Sequence, residues 1–335
     1  MQENVPLAEF TTFKLGGPAR FFVRVSSAAE LQEALAFGEH KNLAVLVFGG
    51  GSNLLIGEKG FDGLVIKIEL HGISAVPDDN GNVALSVAAG ENWDELVAHT
   101  CAQGWWGLEN LSGIPGTVGA APVQNIGAYG ADISHTCTQV EVYDRQCKQI
   151  VILSASECAF AYRDSMFKQQ VGRYIIMRVY FALSTAAQPN TAYRDLSEAF
   201  STHAPTMPQE VRAAVLAIRA RKFPDLNIEG TAGSFFVNPV VSAEKAAALA
   251  AQYPDLPQYD AEGGKKVSLA WILDKVLNAK GMSVGGARLF EKQPLVVATN
   301  NTATADNVMQ LKDSVIAQVK EKVGIDVDVE VRIII

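Results

Sequence analysis

Along this chain the spacing of apolar and polar residues changes period several times. Residues 20–25 alternate and are rich in β-formers, which predicts a strand. Ser26 stands as a cap before a helix over 27–38, where Leu31, Ala34, Leu35 and Phe37 form an apolar stripe that ends at Gly38. A buried strand at 43–48 runs straight into Gly49-Gly50-Gly51, and after Ser52-Asn53 come an apolar segment and a strand at 63–68. Strand, helix, strand is the signature of a small mixed α/β unit.

From residue 71 the character changes. Strand patterns at 83–90, 139–144 and 173–183, with one helix near 91–103, predict an α+β middle domain. The polar stretch 184–208, with Pro189, Pro205 and Pro208, reads as loop and domain boundary. A helix with a basic last turn follows at 209–222. Further helices are expected at 242–252, 268–276 and 304–323, and the chain closes on Asp-Val-Asp-Val-Glu-Val-Arg-Ile-Ile-Ile as an alternating strand. The predicted division is 1–70, 71–207 and 208–323, with 324–335 returning to the first domain. No internal repeat interrupts it.

Composition narrows the function. With 48% hydrophobic and 19% charged residues over 335 positions, the chain is globular and not disordered as a whole. Lys and Arg number 28 against 36 Asp and Glu, a net charge of −8, which argues against a general grip on nucleic acid. No apolar run reaches about 18 residues, so no membrane-spanning helix is expected. The amino terminus lacks a basic segment followed by an apolar core, so no signal peptide is read and a cytoplasmic location is expected. The four cysteines form no CxxC and the five histidines stand singly, so no metal site is expected.

Two glycine-rich segments are the first candidates for chemistry. Gly49-Gly50-Gly51-Ser52-Asn53 follows a buried strand, and its backbone N–H groups could form an anion-binding nest. It is neither a P-loop nor a GxGxxG turn, so a plain tight turn fits it equally well. Gly113, Ile114, Pro115, Gly116, Thr117 and Gly119 make a second such surface, continued by Gln124, Asn125, Gly127, Tyr129 and Gly130. A glycine-rich crossover would explain one of these loops; a ligand with two phosphates would explain both. Tyr162-Arg163-Asp164-Ser165 and Gly233-Ser234-Phe235-Phe236 are weaker signals. The basic run Arg219, Arg221 and Lys222 has an ordinary explanation as compensation of a helix C-terminus. Glu330 and Arg332, two apart, fit the solvated side of an edge strand. No GxSxG elbow or Ser-His-Asp set supports acyl transfer.

Taken together and in order, TTFKLGG (11–17), FGGGSNLL (48–55), SGIPGTVGAAPVQNIGAYG (112–130), YRDSMFK (162–168), GSFFVNP (233–239) and EVR (330–332) resemble the UDP-N-acetylenolpyruvoylglucosamine reductases, the MurB family. The resemblance covers almost the whole chain. It implies an α+β protein with an FAD-binding fold of the MurB/oxidase type, made of two α/β subdomains and a third α/β domain for substrate. It further implies NADPH as hydride donor, UDP-N-acetylglucosamine enolpyruvate as small-molecule substrate, UDP-N-acetylmuramate as product and a role in peptidoglycan precursor synthesis. A monomer that engages neither nucleic acid nor membrane is expected.

Residue by residue, the resemblance puts FAD against Gly49, Gly50, Gly51, Ser52 and Asn53, and against Gly113, Ile114, Pro115, Gly116, Thr117, Gly119, Gln124, Asn125 and Gly127. Adding hydride to an enol ether leaves negative charge beside a carboxylate, and a fixed cation and a hydrogen-bonding acid lower that cost. Arg163 and Glu330 match the family residues for this task, with Glu330 needing to be protonated, and Ser234 matches the proton donor. Tyr129, Tyr193, Lys222 and Asn238 match substrate contacts, and Tyr193 marks the form of the family with a closing tyrosine loop. Val237 departs from the pattern, since many relatives carry Lys there. Two other readings compete: another FAD oxidoreductase of this fold, such as an oxidase, and a non-catalytic sugar-nucleotide binding protein. No His or Cys lies in 49–55 or 112–130 to tether a flavin covalently, as such oxidases often do.

Overall fold

The computed structural model describes residues 1–335. Two compact units divide them: Met1–Val5, Ala19–Gly51 and Asp62–Arg219 in the first, and Pro6–Pro18, Ser52–Phe61 and Ala220–Ile335 in the second.

The first unit contains two large sheets and a two-stranded ribbon, Gly127–Ala128 with Ala131–Asp132. One sheet has the strand order Gln2–Pro6, Pro18–Val25, Phe61–Ile68, Ala44–Phe48, and its last two strands run parallel. The helix before Ala44–Phe48 spans Ala28–His40 and is capped by Ser27, not by Ser26. Both serines fit the local pattern, but Glu30 decides between them. Its N–H donates to Ser27 Oγ at 3.2 Å, while its carboxylate accepts from the N–H and hydroxyl of Ser26. The other sheet is antiparallel, in the order Gln149–Ser154, Cys137–Asp144, Tyr174–Ser184, Asn82–Ala88, Ile73–Pro77. The helix Trp93–Ala102 begins with Asn92 Oδ1 accepting the Glu95 N–H at 3.1 Å. Trp93 is buried, and its indole N–H is satisfied by the carbonyl of Leu111 at 2.9 Å.

The stretch 184–208 is not all loop, because it contains the helix Arg194–Ala199. A single apolar anchor holds it. Leu196 is 0% exposed and packs with Trp106, Tyr129, Val211, Val215 and Ile218. A six-residue helix with one buried side chain leaves too little periodicity to be read from sequence.

In the second unit, Gln293–Thr299, Ala287–Phe290 and Ser283–Val284 form an antiparallel sheet. Another antiparallel set joins Val240–Val241, Gly264–Val267 and Gln258–Ala261. The long helix Ala305–Val323 has a capping box from Thr304 and Asn307, and Gly324 ends it at φ +66°. The helix expected at 268–276 is one turn, Leu269–Trp271, that widens into a π-helical turn over Ile272–Val276.

The closing segment is shorter as a strand than its alternation implies. Only Arg332–Ile334 forms a ladder, parallel to Leu54–Ile56. Burial still alternates before it, with Ile325, Val327 and Val331 inside. There the backbone is held by single bonds instead: Val237 N–H donates to Asp328 O at 2.9 Å and Glu330 N–H to Phe235 O at 2.8 Å.

Candidate active site

In the first unit the two glycine-rich segments lie against each other. A Cβ on Gly49 would sit 2.0 Å from Thr117 Oγ1, and one on Gly50 would sit 2.7 Å from Gly116 Cα. Only glycine permits such an approach, so the contact explains both residues. Thr117 Oγ1 is buried and has no hydrogen-bond partner in the chain. A polar atom left in that state is costly unless a ligand meets it. Gly51 at φ +60° and Gly116 at φ +126° complete the turns.

Other glycines of the second loop serve the protein itself. Gly119 N–H donates to Ala89 O at 2.9 Å, and Gly113 N–H donates to Asp94 Oδ1 at 2.5 Å. What these two offer a ligand is close backbone approach, not a donor. Ile114, Pro115 and Gln124 are half-buried beside them. Asn125 is buried at φ +45°; its amide donates to Ala161 O at 3.0 Å and accepts from Ser134 N–H at 3.2 Å. Its side chain thereby braces the loop against the residues just before Arg163.

Arg163 adopts a left-handed backbone, φ +55°, unusual for a residue with a side chain. The tight turn around it is pinned by a two-residue bridge between Ala161 and Asp164 and by Ser165 Oγ donating to Val123 O at 2.6 Å. The guanidinium donates to Gly127 O at 2.6 Å and lies 5.4 Å from the centre of the Tyr162 ring. Strain of this kind persists where the surroundings overdetermine it, and such places cluster at working sites.

Tyr129 and Tyr193 meet edge to face, with ring centres 5.4 Å apart. Asn110 Nδ2 holds both their segments by donating to Tyr129 O and to Asn190 O, each at 2.8 Å, and Asn190 Nδ2 donates to Gly130 O at 2.9 Å. Burial pushes the Tyr129 hydroxyl up to about 12, against the pull of Arg219. By sequence alone Arg219 is no more than part of a basic helix end. Its own charge is disfavoured by burial and supported by Tyr129 and Asp94. The signal was present: Arg219 lies seven residues after Arg212 on the helix Pro208–Lys222, so both occupy one face.

The second unit carries the other candidates. The GGGSN motif runs from the first unit into this one, with Ser52 and Asn53 here. Asn53 Nδ2 donates to Glu330 O at 3.1 Å, and Arg332 N–H donates to Asn53 O at 3.0 Å. Ser234 lies on the segment that pairs with the residues leading to Glu330, through the bridge between Phe236 and Val329. Phe235 and Phe236 beside it are buried, and Phe235 packs against Phe13 with ring centres 6.1 Å apart. Asn238 Oδ1 accepts the Leu269 N–H at 3.0 Å. Lys222 is half-buried at the end of its helix, and Val237 is half-buried next to Asn238.

A family model described as an FAD binding domain matches residues 19–152, and one for the C-terminal domain of UDP-N-acetylenolpyruvoylglucosamine reductase matches residues 225–334. These two matches define the class as an FAD-binding protein with a dedicated C-terminal domain. The chain is 44% identical over 310 residues to the UDP-N-acetylenolpyruvoylglucosamine reductase of Neisseria gonorrhoeae, covering 91% of this chain and 89% of that one. It is 42% identical over 334 residues to that of Chromobacterium violaceum, covering 98% and 97%. Its fold is similar to that of MurB from Thermus caldophilus, with a TM-score of 0.70 at 24% identity over 99% of this chain and 98% of that one. The chain belongs to the UDP-N-acetylenolpyruvoylglucosamine reductase family. No helix is long and apolar enough to cross a membrane, and no group of His, Cys, Asp and Glu could hold a metal ion.

Proposed function

We propose that this enzyme reduces UDP-N-acetylglucosamine enolpyruvate to UDP-N-acetylmuramate at the expense of NADPH, with FAD as resident cofactor. The observation that carries the reading is the pairing of Ser234's segment with that of Glu330, where Glu330 N–H donates to the carbonyl of Phe235, next to Ser234. It mounts a hydroxyl and a carboxyl, the two groups the chemistry asks for, on adjacent lengths of backbone.

The residues present suit FAD. The close pair of loops at Gly49–Gly51 and Gly116–Thr117, with an unpartnered Thr117 hydroxyl, would take its diphosphate. Ile114, Pro115, Gln124 and Asn125 would line the approach. When bound, FAD supplies a hydride carrier between NADPH and the methylene carbon of the enol ether.

The side chains manage the charge and the proton. Hydride addition leaves an electron pair on the carbon that bears the carboxylate. Arg163 stabilises that carboxylate by its fixed positive charge, and protonated Glu330 by a hydrogen bond. Ser234 then gives the Oγ proton to the carbon, completing the saturated ether. Lys222 and Arg219, with the hydroxyls of Tyr129 and Tyr193 and the Asn238 amide, bind the nucleotide diphosphate and sugar. Tyr193 stands on a segment fixed by Leu196 and Asn190, which suits a closing loop.

We further take the enzyme to work as a monomer in the cytoplasm, where NADPH is available; light scattering on the purified protein tests the first point. The reaction itself is tested by the visible spectrum under anaerobic NADPH. Bleaching of a flavin band and its return on adding the enolpyruvyl sugar nucleotide is the expected result. Bleaching without return would identify a different FAD oxidoreductase, and no flavin after reconstitution would favour a binding protein.

A further inference from the structure

Asp94 has a set of contacts that nothing in the reaction explains. It lies in the first turn of the helix Trp93–Ala102, where a carboxylate is favoured by the helix dipole. Its Oδ1 accepts from Gly113 N–H at 2.5 Å and from Arg212 Nη1 at 2.5 Å, and its Oδ2 accepts from Arg212 Nη2 at 2.9 Å. This is a two-toothed carboxylate–guanidinium fork with a backbone donor added, the strongest geometry available to such a pair. The side chains of Arg212 and Asp94 are only 16% and 33% exposed.

The groups that Asp94 joins belong to the loop assigned above to FAD and to the helix that carries Arg219 and Lys222. Gly113 begins the second glycine-rich loop. Arg212 lies two turns before Arg219 on the helix Pro208–Lys222, on the same face. Arg219 in turn crosses Gly113 closely, since a Cβ there would sit 3.0 Å from its Cδ and Nε. The turn at Gly113 is thus bonded by Asp94 through its N–H and covered by the stem of Arg219. One carboxylate faces two guanidiniums, and Arg219 and Asp195 act with opposite sign on Tyr129. Burial works against the Asp94 carboxylate, but Arg212, Gly113 N–H and Arg219 together hold it below the ordinary aspartate range.

We propose that Asp94 is a positioning residue for the nucleotide diphosphate: by joining Gly113 N–H to the Arg212 fork, it locks the loop and the helix in the register that places Arg219. The proposal rests on the nucleotide-sugar reading above. It needs neither the proton transfer of Ser234 nor the charge of Arg163.

The test uses the FAD-loaded enzyme, with uridine 5′-diphosphate as calorimetric probe and steady-state kinetics on the enolpyruvyl sugar nucleotide. Asp94→Asn should raise both the UDP dissociation constant and KM about tenfold, the scale of a lost charge-assisted hydrogen bond, with kcat within about twofold by the uniform-binding argument. Arg212→Lys keeps the charge but loses the fork, and it should move the same two quantities in the same direction. The exchanged pair Asp94→Arg with Arg212→Asp separates positioning from stability. It should recover much of the urea midpoint lost in the single variants, yet remain weak for UDP, because arginine cannot accept the Gly113 N–H. Wild-type values of KM and UDP affinity in Asp94→Asn or Arg212→Lys would overturn the proposal. So would UDP affinity restored together with stability in the exchanged pair. If the wild-type enzyme itself fails the spectral experiment, the functional reading falls instead, and the two failures are distinguishable.

Discussion

Asn53 Nδ2 donates to the main-chain carbonyl of Glu330 at 3.1 Å, joining residues 277 positions apart. With Arg332 N–H donating back to Asn53 O, the asparagine brackets the segment that carries the acid. Asn53→Ala removes one of these bonds, a net loss of about 0.5–1.5 kcal/mol. Amide hydrogen exchange over Val331–Ile334 should accelerate about two- to tenfold; exchange unchanged from wild type would contradict this bracing role.

Gly50 tests the paired loops. An added methyl would press on Gly116 backbone at 2.7 Å, and backbone cannot swing aside as a side chain tip can. Gly50→Ala should therefore purify with less FAD, while Gly104→Ala, which meets nothing within 4 Å and carries only the backbone strain of its φ of +76°, should keep the wild-type flavin content. Equal flavin content in both would show that the loop contact is irrelevant to the cofactor.

Ser234→Ala separates the half-reactions. Stopped-flow reduction by NADPH should stay near normal, while reaction with the sugar nucleotide slows by about 10²–10⁴, the usual contribution of a positioned acid. Equal slowing of both steps would remove Ser234 from the proton-donor role.

Lys222→Ala should weaken binding of the substrate by about 1.5–3 kcal/mol, the range for a hydrogen bond to a charged group. Titration calorimetry with the substrate reads this directly, and an unaltered dissociation constant would sink the assignment.

Glu109 links stability to pH. It is 3% exposed, and burial raises its pKa despite the bond its carboxylate accepts from Gly107 N–H at 2.7 Å. The folded state therefore holds this proton more tightly than the unfolded chain, whose value is about 4.3. Between about 4.3 and the raised folded value, stability falls as pH rises. Glu109→Gln abolishes the titration, so its urea midpoint relative to wild type should improve with pH across that window. A pH-independent difference between the two would contradict the assignment.

Sequence alone determined much of this protein because its main signals are local. The periods of 2 and 3.6 marked Pro18–Val25, Ala28–His40, Cys137–Asp144 and Ala305–Val323, since each buries one face and its residues must repeat accordingly. The motifs from TTFKLGG to EVR carried the family for a related reason: glycines and polar residues at fixed spacing serve one backbone geometry. Tertiary structure decided the rest. Whether Ser26 or Ser27 caps depended on where Glu30 turned, and the helix at Arg194–Ala199 exists because Leu196 has a place to go. The alternation before Arg332 gave no continuous strand, because its partner segment supplies single bonds and not a ladder. Arg219 read as a solvated helix end until Gly113, Tyr129 and Asp94 came to surround it. Gly49 looked like any flexible turn until Thr117, 68 positions later by number, came so close that no side chain could stand there. Such contacts join residues distant in sequence, and no local pattern encodes which distant neighbour will arrive.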